Sequence, residues 1–136
     1  HIKVKSFRVI WDYISKKVED GSIVVPQKVA EEVASVNRDS ELNEWIKKHR
    51  KLFLPASECI SELAMIVNKH QIYTKEKGSL GDAVVMAIAL SRKLVVITSE
   101  IYVPVQSPVK PKIPNVCNEF GIKWMNLPEF FKEEGL

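Results

Sequence analysis

Apolar residues recur at steps of three and four through the first twenty positions. Phe7, Ile10, Trp11, Ile14 and Val18 share one face, while Lys16, Lys17 and Asp20 lie toward solvent. This spacing predicts an amphipathic helix from Val4 to Glu19, stopped by Gly21. Ser22 to Val25 reads as a short strand, and Pro26 brings a φ already set for a first helical residue. A second helix is expected from Pro26 to about Val36, with Val25, Val29, Val33 and Val36 on one face. At about 100° per residue, Glu31 projects away from that face and Glu32 lies beside its edge. Asp39 or Ser40 caps a third helix, with Leu42, Trp45 and Ile46 as its stripe and His49 at the margin. Phe53 to Pro55 is a break. A fourth helix opens near Ser57, with Ile60, Leu63, Ala64 and Val67 inward, and Asn68 to Gly78 is polar and loop-like.

The pattern then changes character. After a Gly/Ser turn at Gly78-Ser79, residues Ala83 to Leu90 are apolar on every side, which marks a buried helix. Leu94 to Ile97 follows as an unbroken apolar run, expected to be a strand buried on both faces. Pro104, Pro108, Pro111 and Pro114 make the next stretch a long loop or an edge, with Lys110 and Lys112 exposed. A short helix from Ile113 to Phe120 ends at Gly121. Ile122 to Met125 reads as a third strand. Asn126 caps a last helix with Pro128 just inside it and Phe130 and Phe131 buried. Strands alternating with helices predict an α/β fold with a parallel sheet, and residues 1–136 read as one domain.

Composition narrows this little. The 136 residues are 46% hydrophobic and 27% charged, with a net charge of +3. That balance permits a nucleic-acid partner without arguing for one. No apolar run approaches the roughly 20 residues of a membrane span, and a secretory signal is not expected, so the reading is of a cytoplasmic protein without membrane attachment. Cys59 and Cys117, with no CxxC spacing, read as free buried thiols. His1, His49 and His70 show no zinc spacing. Lys47, Lys48, Arg50 and Lys51 suit a phosphate backbone, though a solvated helix end explains them better. Trp11, Trp45 and Trp124 fit apolar stripes.

Three acids follow or flank the expected strand ends: Glu32, Asp82 and Glu100. Ligands of parallel α/β sheets bind beyond the carboxyl ends of the strands. Two carboxylates about 4 Å apart, at an effective dielectric near 20, repel by roughly 4 kcal/mol, which a cation offsets. Hard oxygen ligands suit Mg²⁺ or Mn²⁺, ions that drive phosphodiester hydrolysis. Each acid also has an ordinary account. Asp82 suits a helix dipole, Glu32 a solvated helix face, and Glu100 a loop.

The segments Val25-Pro26-Gln27-Lys28-Val29-Ala30-Glu31-Glu32-Val33, Gly81-Asp82-Ala83-Val84-Val85-Met86-Ala87-Ile88-Ala89 and Leu94-Val95-Val96-Ile97-Thr98-Ser99-Glu100 together resemble a PIN domain. Lys112-Ile113-Pro114-Asn115-Val116-Cys117 with Gly121-Ile122 is similar to the C-terminal signature of a PIN-like branch known mainly as a family of unknown function, related to VapC-type toxin ribonucleases. The resemblance covers nearly the whole chain. It implies a three-layer fold with a central parallel sheet flanked by helices. It also implies metal-dependent endoribonuclease activity, with RNA as substrate and an antitoxin protein as partner. Glu32, Asp82 and Glu100 match the family's metal-binding acids, with Mg²⁺ or Mn²⁺ as cofactor, and Thr98 matches the residue that orients a ligand or water. PIN domains begin with a strand carrying an aspartate, whereas the first residues here read as the helix after it, and neither Asp12 nor Asp20 fits a strand end. Roughly 10–20 residues before His1, holding a strand of about five, are therefore expected, and this chain alone is expected to be unstable or to pair through the gap as a homodimer. The alternative is a catalytically silent interaction module that binds a protein or RNA. A nucleotide-binding regulator is weakened by the absence of GxGxxG or a P-loop lysine.

Overall fold

Gly21, at φ +85°, ends the first helix as its spacing predicts. In the computed structural model, which describes residues 2–36, 39–74, 80–104 and 111–135, the elements in order are α1 (Ile2–Glu19), α2 (Gln27–Val36), α3 (Ser40–His49), α4 (Ile60–Lys69), α5 (Leu80–Arg92), β1 (Val96–Thr98), α6 (Ile113–Phe120), β2 (Trp124–Asn126) and α7 (Leu127–Glu133). The Gly78-Ser79 turn, Pro108 and Lys110, and the side chains of Phe7 and Val36, lie outside the described residues. The chain forms two compact units, His1–Leu54 and Pro55–Leu136.

In the first unit, Ala30 of α2, Ile46 of α3 and Phe53 are buried, with Val25, Val33, Leu42 and Trp45 packed against them. Asp39, not Ser40, caps α3, its carboxylate accepting from the N–H groups of Glu41 at 2.9 Å and Leu42 at 3.3 Å. His49 is buried against the Trp45 ring, with centroids 4.3 Å apart. Trp11 is 39% exposed, and its ring is tilted against that of Trp45 with centroids 5.0 Å apart. The strand expected over 22–25 does not form. What remains is a single parallel bridge, Pro26 to Leu54, held by Leu54 N–H to Val25 O at 3.0 Å and Gln27 N–H to Leu54 O at 2.8 Å. Pro26 has no N–H with which to extend a ladder, and the Ser22 N–H is taken by the Asp20 carboxylate at 2.8 Å.

The second unit is built around α5. Ala83, Val84, Met86, Ala87, Ile88 and Ala89 are all buried, because α4, α6, β1 and the 3₁₀ turns Ala56–Cys59 and Gln71–Thr74 pack against that helix. Arg92, in its last turn, pairs with Glu58 at 2.7 Å. The inward face of α4 differs from expectation. Cys59 and Ile66 are buried, while Ile60 and Ala64 are exposed. A 3₁₀ turn precedes the helix and starts it at Ile60, with a phase different from that of a helix begun near Ser57.

β1 and β2 pair in parallel, with Val96 opposite Trp124, Ile97 opposite Met125 and Thr98 opposite Asn126. The molecule is mostly helical with this small parallel sheet, which places it in the α/β class. Val96 and Thr98 are buried and Ile97 is exposed. β1 is therefore covered on one face among the described residues, not on both. Asn126 ends β2 and caps α7 in a reciprocal box with Glu129, at 2.8 and 3.1 Å. Phe130 and Phe131 are half-buried rather than buried, and Lys112 is half-buried rather than exposed.

Candidate functional site

Two of the sequence-derived acids, together with Thr98, belong to the unit Pro55–Leu136, at the carboxyl end of β1. Asp82 is half-buried in the first turn of α5, where a negative charge favours the helix dipole. Thr98 is the last residue of β1 and is 8% exposed. Its Oγ1 accepts the Glu100 N–H at 3.0 Å, a local bond that turns the chain as it leaves the strand. Glu100 is half-buried, and its Oε1 accepts the Ile113 N–H at 2.7 Å. It thereby caps α6, whose own flanking residue Lys112 makes no side-chain cap. Asn115 clamps the same loop, accepting the Val103 N–H at 3.1 Å and donating to Val103 O at 2.6 Å. Glu100 is thus held at two points: its N–H by the β1 turn and its carboxylate by the start of α6.

Tyr73 reports where these carboxylates lie. It sits in the 3₁₀ turn Gln71–Thr74, is 3% exposed, and its buried hydroxyl has no hydrogen-bond partner. Burial pushes the phenol's pKa well above its ordinary value, and the negative charges of Asp82 and then Glu100 push it further. Two acids from separate elements therefore act on one buried oxygen. Glu119, also near that hydroxyl, is bonded to His70 at 3.0 Å. Cys117 is a free, buried thiol whose pKa burial raises to about 12, too high for a nucleophile at neutral pH. Cys59 is likewise free and buried.

Glu32 belongs to the unit His1–Leu54. It is half-buried on α2, whereas Glu31 is exposed, which is the helical phase the spacing predicts. Lys47, Lys48, Arg50 and Lys51 are all exposed. A groove of about 420 Å³ lined by Val95, Ile122, Lys123 and Trp124 lies at the amino ends of the two strands, opposite the acids.

Asp82 and Glu100 offer hard oxygen donors of the kind that hold Mg²⁺ or Mn²⁺. Within this unit, no third His, Cys, Asp or Glu among the described residues joins them into a metal-holding group. One or two carboxylates suffice for Mg²⁺, which keeps several waters, so the donor set fits such an ion in kind. Sequence reasoning missed Tyr73, which stands in the stretch read as a polar loop. The signal was there, in apolar Ile72 and Tyr73 continuing past the end of α4. Asn115 was visible only as part of a motif.

A family model described as a domain of unknown function, DUF4411, matches residues 1–136. No curated protein and no solved structure matches the chain.

Proposed function

The chain belongs to the DUF4411 family, and from that premise we propose that it is a metal-dependent endoribonuclease with a PIN-like three-layer fold. On this reading it acts in the cytoplasm as the toxin of a toxin–antitoxin pair. The observation that carries this reading is that Asp82 and Glu100, from separate elements, both act on one buried hydroxyl at the carboxyl end of β1. Carboxylates gathered there favour a divalent cation. Such an ion supplies activation of water and charge neutralisation at a phosphodiester. Asp82 and Glu100 are its carboxylates, Thr98 holds the turn that presents Glu100, and the Ile113 N–H fixes one oxygen of that carboxylate. No helix among the described residues is long and apolar enough to cross a membrane.

One observation favours a second reading. Glu100 already caps α6 through the 2.7 Å bond to Ile113, a structural duty that a catalytically silent binding module would retain. Incubating the protein with single-stranded RNA in Mn²⁺, and in chelator, separates the two. Cleavage that needs Mn²⁺ and disappears in Asp82→Asn supports the nuclease. RNA that stays intact in Mn²⁺, with wild type and variant binding it equally, supports the silent module.

A further inference from the structure

Within the unit His1–Leu54, α2 and α3 leave a pocket of about 170 Å³ between them. Its floor is Ala30, Ile46 and Phe53, the buried core of that unit. The space exists because α2 presents alanine there. Ala30 and Ala34 both line the pocket, four residues and so about one helical turn apart. Protein interiors leave few voids, so an apolar hollow that opens on the core is a place for an apolar group from outside. The walls are charged. Glu31 on α2 and Arg50 at the end of α3 line the same pocket, and both are exposed. Among the described residues neither joins an ion pair or a side-chain hydrogen bond, with the other or with a third group. Opposite charges thus share one hollow without meeting across it.

We propose that this pocket binds a free aliphatic amino acid. The side chain rests on Ala30, Ile46 and Phe53, the ammonium pairs with Glu31 and the carboxylate with Arg50. Size sets one limit. Pockets for drug-sized ligands span roughly 300–1,000 Å³, whereas about 170 Å³ admits one small molecule or one side chain. Charge sets the other. A residue inside a peptide has neutral amides where the free amino acid has its ammonium and carboxylate, so it leaves Glu31 and Arg50 unanswered. A zwitterion with an apolar body matches the floor and both walls at once. The guanidinium of arginine is a planar fork that takes a carboxylate through two parallel hydrogen bonds. Lys47, Lys48 and Lys51 neighbour Arg50 in the chain and are exposed, so the α3 side attracts the anionic end. This site stands apart from the nuclease reading, whose Asp82 and Glu100 belong to the other unit.

The test titrates L-leucine into the full chain, followed by calorimetry and by the shift in melting temperature. Three analogues run beside it: isocaproate, which lacks the ammonium, isoamylamine, which lacks the carboxylate, and N-acetyl-leucinamide, which has neutral amides at both ends. Each should bind at least about 10-fold more weakly than leucine, the loss of one hydrogen bond to a charged group. Arg50→Gln should weaken leucine by a similar factor and leave isoamylamine unchanged. Glu31→Gln should weaken leucine and leave isocaproate unchanged. Ala34→Leu fills the pocket and should abolish binding, while its melting without ligand shows that the chain still folds. A wild type that takes up no leucine at millimolar concentration overturns the proposal. So does leucine binding that the folded Ala34→Leu variant retains in full, or isocaproate or isoamylamine binding as tightly as leucine. Equal binding of N-acetyl-leucinamide also overturns it, and assigns the pocket to the side chain of a protein partner.

Discussion

Asp82 and Thr98 do different work at the same end of β1, and single substitutions separate them. Asp82→Asn keeps the size and removes the charge. On the proposed function, the expected outcome is loss of Mn²⁺-dependent RNA cleavage while the metal-free protein keeps its stability. A fall of more than about 1 kcal/mol in urea unfolding, the usual value of a helix cap, would make Asp82 structural instead. Thr98→Val leaves the Glu100 N–H without its 3.0 Å acceptor and should cost about 1 kcal/mol, whereas Thr98→Ser should retain the bond. On α2 the half-buried Glu32 and exposed Glu31 form an internal control. Glu32→Gln is expected to lower stability in urea unfolding more than Glu31→Gln, and equal loss in both variants would refute that helical phase.

Helix ends show how much of each element is local chemistry. Gly121 closes α6 at φ +68°, with its N–H on the carbonyls of Asn118 and Cys117. A Cβ there would touch nothing within 4 Å, so Gly121→Ala should cost about 1–2 kcal/mol through backbone strain alone. Lys93 follows the end of α5 at φ +58° and is not a glycine. Lys93→Gly should therefore raise stability, by up to about 1 kcal/mol after the extra freedom of the unfolded chain is counted. Urea unfolding of the two variants checks the pair, and shifts of the same sign would refute the common cause. These ends were legible because glycine and asparagine mark them. The phase of α4 was not, because a 3₁₀ turn precedes it without a distinctive residue.

At the scale of the whole molecule, α5 is the support on which the second unit depends, and Cys117 packs in the same interior at 0% exposure. Its pKa rises from 9.0 to about 12 on burial. The sign follows directly. Above about pH 9 the unfolded chain loses this proton and the folded chain keeps it, so stability is fully present below pH 9 and falls toward pH 12. Chemical unfolding from pH 8 to pH 11 should show that decline, and Cys117→Ala should make it shallower, leaving the parts due to Cys59 and Tyr73, while lowering the neutral-pH baseline through the cavity it leaves. A thiol reagent should likewise leave Cys117 unreacted at neutral pH until the protein unfolds. A slope unaltered by the substitution would assign the alkaline loss to other groups.

The order of helices, the caps at Asp39 and Asn126, the buried character of α5 and the helical side of Glu32 were all set by local periodicity and turn chemistry, and so were readable along the chain. What lay beyond it depended on contacts between distant residues. Residues 22–25 have strand-like composition, yet Leu54 offers them a single bridge. The run from Leu94 to Ile97 is apolar throughout, yet its outer face meets no covering layer among the described residues. Glu100 is a surface charge by pattern, and only the arrival of Ile113 turns it into a helix cap. Tyr73 looked like part of a loop, and only the packing of its 3₁₀ turn against α5 buries its hydroxyl beside two acids. Periodicity records which side of an element avoids water, whereas the partner that covers that side is fixed by the fold.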